Sequence, residues 1–497
     1  MDIEQVHRGF QGKCWQVHKF GGTSVADANC FLKVATIVEE QIGVIPENGA
    51  TNASSSNDQS NNDDFDFSLS RNLAVVVSAM GGKPKTTDLL LQSVTAAANR
   101  DDEKVESCLD FIQNKHDTCI DTLFLNITGK DGRNDSAAKN TDEIKSPVEL
   151  AQNLKATIAK DLNDIRDILK TVSLMKWQAK RISELISGYG ETWSSQILTL
   201  LLTKRENERL GILGIGNVEC SDNDDEVVNQ LHYYRYVDAR RVITVDEDAI
   251  QNGAVCWDIS MDKLKNVYRE ESLATFDSEN EPKNRSMHFV ITGYVASNTH
   301  SVATTLQRDG SDYSAAIMGR LLESTLIAIW TDVDGVLSAD PRRVPHSYVL
   351  PEVSFNEAME LAYFGAKVIH PKTMQPAIMG NPQIPIYIRN TFNSSFRGSR
   401  IFTSSTTHTD RERCVCGFSS IEKMAMVNVE GSGMVGVKGV ARRLFGTLES
   451  IGINVVLISQ ASSEHSITFA TTMKEAEDAK IAIEEEFHKE LKQVRKM

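Results

Sequence analysis

Apolar runs and helical stripes alternate along most of this 497-residue chain. Residues 13 to 45 read as a strand, a glycine turn and a helix, with apolar positions at Val25, Phe31, Leu32, Ala35 and Val38 falling on one helical face. From Pro46 to Ser70 the composition turns to Asn, Asp and Ser, too polar to pack a core, and this stretch reads as an exposed, disordered insertion. The apolar run "LAVVVSAM" then suits a strand buried on both faces. A second polar tract, from about 126 to 147, reads as a surface loop. Helical periodicity dominates from about 148 to 204, and strands follow at "YRYVDARRVI", "MHFVITGYV", "STLIAIWTDV" and "IPIYIRN". Buried strands alternating with helices predict an α/β unit, a mostly parallel central sheet covered on both faces.

Beyond the hydroxyl-rich stretch "GSRIFTSSTTHTDRERC" the grammar restarts at smaller scale. "MAMVNVE", "GVKGVARRLFGTLESIG", "INVVLISQA", "HSITFATT" and "KEAEDAKIAIEEEFHKEL" spell strand, helix, strand, strand, helix, an α+β module from about 424 to 491 that lacks a closing strand. A sheet left open in this way exposes backbone donors and acceptors along an edge, which favours pairing with a second chain.

Charge and cysteine usage narrow the classes. A formal net charge of −15 argues against a general nucleic-acid binder, while a local positive site could still hold a small anion. The eight cysteines are scattered, and Cys414-Val-Cys416 lacks the second pair that a zinc site needs, so reduced thiols are expected. No apolar run approaches the roughly 20 residues that span a bilayer. The first dozen residues lack the character of a signal or transit peptide. A cytoplasmic protein is therefore expected, with a plastid the alternative if the N-terminus is truncated or processed.

Four stretches could carry chemistry. In "KFGGTS" Lys19 precedes Gly21-Gly22, which excludes the P-loop order, but the glycines let backbone N–H groups approach an anion and Thr23 or Ser24 could cap the following helix. A lysine at the carboxyl end of a strand in an open α/β sheet stands where such sheets place ligands, although lysines flanking turns are commonly solvated. "QRDGSDYSAA" offers the fork of Arg308 for a carboxylate, with Ser311 or Asp312 capping a helix from Tyr313. "WTDVDGVLSADPRR" fails the spacing of a calcium loop and fits a nucleotide-contacting turn at Thr331 and Asp332, with Arg342 near enough to reach phosphates. "ISGYGETWSSQIL" sets Glu191 at a helix start, where the helix dipole alone would favour an acid.

Together these segments resemble the aspartate kinases of the amino-acid kinase superfamily. "KFGGTSV", "VVVSAM", "GYGETWSSQ", "TTLQRDGSDYSAA", "WTDVDGV..ADPR" and "ELAYFGAKVIHPKTM" occur in that family's order, and "WQVHKFGGT" and "ISQASSEHSI" are most similar to the kinase part of the plant-type bifunctional aspartate kinase/homoserine dehydrogenases. The resemblance implies an amino-acid kinase domain over 13 to 405 and an ACT-like regulatory domain over 424 to 491. It implies transfer of the γ-phosphoryl of Mg-ATP to the β-carboxylate of L-aspartate, the first step toward lysine, threonine and methionine. Mg²⁺ would come with ATP, with no metal ligands expected from the protein. A glutamate-type kinase and a non-catalytic amino-acid sensor are the alternatives.

By the same resemblance, Lys19 and Asp312 are the catalytic pair, and Gly21, Gly22 and Thr23 lie beside the phosphates. Ser78, Thr87, Glu191, Arg308 and Ser311 line the aspartate pocket, Arg308 gripping the α-carboxylate and Glu191 the amino group. Thr331, Asp332, Arg342 and Lys367 belong to the nucleotide side. Two departures stand out: the serine-to-threonine spacing is long, leaving Thr86 and Thr87 both open, and Leu337 stands where many relatives have tyrosine. A homodimer through the ACT-like modules is implied, with threonine or lysine as effector at Ile458 and Gln460.

Overall fold

The computed structural model describes residues 14–43, 71–125, 147–175, 180–212, 231–246, 254–275, 285–307, 310–365, 369–403, 415–431, 434, 436–460 and 465–490. The polar stretches expected at about 46 to 70 and 126 to 147 lie outside these, save for the first residue of one helix. Two compact units divide at 418/419.

The first unit carries eleven described strands. In chain order they are β1 (Cys14–Phe20), β2 (Arg71–Val77), β3 (Leu231–Val237), β4 (Thr244–Val245), β5 (Arg285–Thr292) and β6 (Val295–Asn298). β7 (Ala303–Thr305), β8 (Leu326–Thr331), β9 (Glu352–Ser354), β10 (Ile386–Asn390) and β11 (Ser399–Phe402) follow. Eight of them form one sheet in the order β3-β5-β2-β1-β8-β10-β11-β9, and β4, β6 and β7 form a small second sheet. Within the large sheet only the β10–β11 pairing is antiparallel.

Alternation along the strands explains why both faces are covered. On β2, Leu73, Val75 and Val77 enter one core while Ala74 and Val76 enter the other. Helices α1 (Ala28–Gln41), α2 (Thr86–Ala98), α3 (Asp102–Ile120), α4 (Pro147–Met175), α5 (Lys180–Ser187) and α6 (Tyr189–Ile212) bring apolar side chains to the first core, among them Phe31, Leu90, Leu109, Ile158, Ile186 and Trp193. Helices α7 (Trp257–Thr275), α8 (Gly310–Leu321), α9 (Phe355–Tyr363) and α10 (Pro371–Ile378) bring Leu264, Met318, Ala358 and Met374 to the second. Burying one such side chain is worth about 1.5–3 kcal/mol, an upper estimate because the unfolded chain already hides some apolar surface.

β1 has β2 on one side and β8 on the other, so successive crossovers leave it in opposite directions. Such a reversal opens a crevice at the carboxyl ends of the strands. Lys19 and the glycine turn stand at that point.

Two expectations about helix starts are corrected. Gly22–Val25 forms a short 3-10 turn, and the helix behind it is capped by Asp27, whose carboxylate accepts the Cys30 amide at 2.9 Å, rather than by Thr23 or Ser24. α8 begins at Gly310 rather than Tyr313, which places Ser311 and Asp312 inside its first turn.

The second unit has β12 (Met424–Glu430), α11 (Val440–Ser450), β13 (Leu457–Gln460), β14 (Ser466–Thr472) and α12 (Ala476–Glu486). Its antiparallel sheet runs β12-β14-β13, with Ile467 and Phe469 packed against Leu444, Leu448, Ala479 and Ile483 of the helices. Every residue of β13 is exposed.

Candidate active site

Lys19 is the penultimate residue of β1, and strand alternation sets it on the side of Trp15 and Val17, the face that α8 covers. Its Nζ lies 2.5 Å from Oδ1 of Asp312, with the side chains 9% and 19% exposed. The first turn of α8 comes this close because two glycines make room. A Cβ on Gly293, the residue after β5, would sit 2.6 Å from Cβ of Ser311, and one on Gly310 would sit 2.7 Å from the ring of Tyr294. Tyr294 in turn donates its amide to Ser314 Oγ at 3.0 Å, tying α8 to the end of β5.

The glycine turn is packed from both sides. Gly21 donates its amide to the Trp330 carbonyl of β8 at 3.2 Å, and Ser24 Oγ meets Thr391 Oγ1 at 2.7 Å. Ser78 donates its amide to Phe20 at 3.1 Å, and Gly81 donates to the Gly22 carbonyl at 2.9 Å. A Cβ on Gly81 would stand 2.3 Å from that same oxygen, so this position admits glycine alone. Gly22 is half-buried and Thr23 exposed, so the turn keeps a face open to a ligand.

The segment after β2 also reaches Glu191. A Cβ on Gly190 would lie 2.8 Å from Cβ of Ala79 and 3.3 Å from Cγ2 of Thr86, so the start of α6 is pressed onto residues 79–86. Glu191 is only 3% exposed, and burial pushes its carboxyl up to about 8, against the pull of the backbone amides of Glu191 and Ala79. Its Oε2 and the hydroxyl of Thr86 are both buried without a hydrogen-bond partner among the described residues. Thr87 is half-buried one position further on. Buried acids with an open oxygen are costly to keep, and the sites where they persist are commonly ligand sites.

On the β8 side, the Thr331 hydroxyl donates to Asp332 at 3.2 Å, and Asp334 accepts from the side-chain amides of Asn390 and Asn393 at 2.8 and 3.0 Å. Val333, Phe392 and Phe396 are exposed beside them. Leu337 is half-buried and bridges to Val349. Arg342 is solvent-exposed, its guanidinium bonded to Asp340, which holds that carboxyl down to about 2. Arg308 and Lys367 lie outside the described residues. Ile458 and Gln460 belong to the second unit.

Lys19, Gly21, Gly22, Ser78, Glu191, Ser311 and Asp312 thus gather around the carboxyl ends of β1, β2 and β5, with Thr331 and Asp332 at the end of β8 next to β1. The sequence reading did not single out Gly81 as a contact of the glycine turn. Its only signal was the Gly-Gly pair bounding the β2 run. Among the described residues no three His, Cys, Asp or Glu side chains cluster as a metal site, and no helix is long and apolar enough to cross a membrane.

Comparison with known proteins agrees with this architecture. The amino acid kinase family matches residues 279–390 and the ACT domain matches residues 427–487. The chain is 35% identical over 494 residues to the chloroplastic bifunctional aspartokinase/homoserine dehydrogenase of Daucus carota, covering 98% of this chain and 43% of the relative. It therefore spans less than half the length of that relative. Two structures of E. coli aspartokinase III share the fold. The one in complex with lysine and aspartate has a TM-score of 0.59 at 21% identity, covering 92% of this chain and 78% of that one. The one in complex with aspartate and ADP has a TM-score of 0.56 at 19% identity, covering 95% and 99%. The first unit has the amino-acid kinase fold, an ACT domain follows it in the sequence, and the chain is similar in sequence and in fold to the aspartokinases.

Proposed function

We propose that the chain is an aspartate kinase that transfers the γ-phosphoryl of Mg-ATP to the β-carboxylate of L-aspartate. The observation that carries this reading is the Lys19–Asp312 pair, held beside a glycine turn where the sheet reverses direction. A carboxylate is already a nucleophile and needs no general base, so catalysis reduces to alignment and charge neutralisation. Lys19 turns from Asp312 toward the transferring phosphoryl, and backbone N–H groups around Gly21, Gly22 and Thr23 cradle its oxygens. Glu191 receives the substrate ammonium, Arg308 its α-carboxylate, and Ser78, Ser311 and Thr86 or Thr87 complete the pocket. Thr331, Asp332, Arg342 and Lys367 serve the nucleotide, for which Arg342 must leave Asp340.

The donor set suits a magnesium ion that arrives with the nucleotide, because Asp312 is a single carboxylate beside the turn and phosphate oxygens and water would complete the shell. That ion would supply neutralisation of charge on the β- and γ-phosphates. The carrot relative's name and the aspartate and ADP of the E. coli complexes support the same substrates.

In the second unit, Ile458 and Gln460 stand opposite Phe469 and Ile467 in register, hence on the helix-covered face, yet both are exposed. On the open face Met426 and Leu457, both opposite Ala470, are 71% and 51% exposed. An open edge flanked by apolar surface suits a second copy of the module. We infer a homodimer through these units with an amino-acid effector, threonine or lysine, against Ile458 and Gln460.

Incubation with Mg-ATP, L-aspartate and hydroxylamine should trap the acyl phosphate as its hydroxamate, and L-glutamate should not replace L-aspartate. Lys19→Ala should lower kcat by about a hundredfold or more, with a smaller effect on the KM for aspartate. Equal use of glutamate, or wild-type turnover without Lys19, would overturn the assignment.

The raised pKa of Glu191 predicts coupled proton release. Free Glu191 holds its proton below about pH 8, and the substrate ammonium would drive it to the charged form. Calorimetry in buffers of different ionisation enthalpy should therefore show close to one proton released per aspartate bound at neutral pH. The release should fade at alkaline pH and vanish in Glu191→Gln. Binding with no proton exchange at neutral pH would place the amino group elsewhere.

Titrating threonine and lysine into the kinase assay should inhibit the wild type with one of them, and Gln460→Ala should weaken that inhibition, within the 5- to 150-fold range typical of about 1–3 kcal/mol of coupling. Inhibition unchanged by Gln460→Ala would move the effector site away from β13.

A further inference from the structure

Outside the residues assigned above, one half-buried ammonium stands out. Lys115, near the end of α3, donates to the carbonyl oxygen of Gly81 and lies 3.4 Å from those of Met80 and of Pro84. The three carbonyls belong to the stretch that carries Gly81, whose amide holds the Gly22 carbonyl at 2.9 Å. The same stretch leads into α2, where the Thr86 amide donates to Met80 at 3.2 Å. Gly82 sits in the left-handed region at φ +92°, so the turn is one that an ordinary residue would strain. Partial burial lowers the lysine's pKa below the ordinary range. The nearby acid, Asp27, already accepts the Cys30 amide as the cap of α1. The hydrogen bonds of the ammonium go to backbone oxygens.

We propose that Lys115 is a positioning residue of the kinase reaction, its ammonium clamping the 80–84 turn so that Gly81 fixes the phosphate-side turn at Gly22. The clamp acts through one short relay: Lys115 to the Gly81 carbonyl, the Gly81 amide to the Gly22 carbonyl, and the Gly22 turn to the phosphates. It lines a cleft of about 630 Å³ between residues 26–29, residues 80–84 and α3, and that lining includes none of Lys19, Glu191 and Asp312. Lys115 touches no reacting atom and is distinct from Lys19, which serves the phosphoryl itself. This inference rests on the kinase reading for its effect on turnover, but not for its effect on the turn.

The test compares the full-length wild type with Lys115→Met and Lys115→Arg. In Lys115→Met, hydrogen exchange should speed up roughly tenfold or more in peptides covering 78–90 and 20–25 and stay unchanged in the second unit and in α7, as expected for a local opening. Turnover with L-aspartate should fall by about tenfold or more while the KM for ATP moves less than about twofold, the pattern of a misplaced rather than a missing group. Lys115→Arg, which keeps the charge and the donors, should recover most of both. Should Lys115→Met fail to fold, Lys115→Gln replaces it with the same expected direction. Lost turnover without faster local exchange, faster exchange throughout the unit, or no change in either would overturn the clamp. If the wild type does not phosphorylate L-aspartate, the kinase reading fails, and the exchange data still decide whether Lys115 holds the turn.

Discussion

The candidate site of the first unit is built around a lysine and an aspartate that meet at 2.5 Å where a mostly parallel sheet reverses its winding. Leaving an ammonium unpaired at the rim of two apolar cores would cost several kcal/mol, so its partner has to come to it. Asp312 does so from the first turn of α8, and this sets how near that helix must lie to the ends of β1 and β5. The tight spacings at Gly293 and Gly310 follow from the same requirement. An ion pair of this kind is poor evidence for stability, since two well-packed apolar groups would serve the fold as well. Under the proposed phosphoryl transfer its retention keeps a charge in readiness, with Asp312 holding the place of the anion that Lys19 would meet.

Residues 78–86 join the two halves of the site. One side of this segment supports the glycine turn through Ser78 and Gly81, and the other presses on the start of α6 at Gly190. A shift of a few tenths of an ångström here would move the glycine turn and Glu191 together, because neither contact has slack. That rigidity is the physical content of alignment in a reaction that needs little covalent help from the protein. The second unit is built on the opposite principle: its edge strand is exposed along its whole length, the property of a surface that responds to a partner or ligand.

The sheet was legible from sequence because its central strands are buried on both faces and read as unbroken apolar runs. The runs at 73–77 and 326–330 are of this kind, whereas β1 carries Gln16, His18 and Lys19 among its apolar residues. The short strands β7, β9 and β11 were not foreseen, since three or four residues carry no period. Local signals also misled at helix starts. A Thr-Ser pair after glycines looks like a cap, yet the Ser24 hydroxyl is taken by Thr391, more than three hundred residues away, and Asp27 caps instead. The start of α8 moved to Gly310 because a small residue is needed under Tyr294, a contact that no local pattern encodes. Lys115 was invisible for the same reason: its partners are backbone carbonyls more than thirty residues away, and a lysine in "IQNKHD" reads as solvated. Lys19, Asp312 and Glu191 were legible only as members of an ordered set of motifs, because each alone has an ordinary structural explanation.

A double-mutant cycle on the central pair tests the account most directly, with kcat for L-aspartate phosphorylation measured in wild type, Lys19→Met, Asp312→Asn and the double variant. If Asp312 acts by organising Lys19, the double variant should be little worse than Lys19→Met alone, leaving a coupling on the order of 1–3 kcal/mol between the two losses. Losses that simply add would show two independent roles and contradict a site built around this pair.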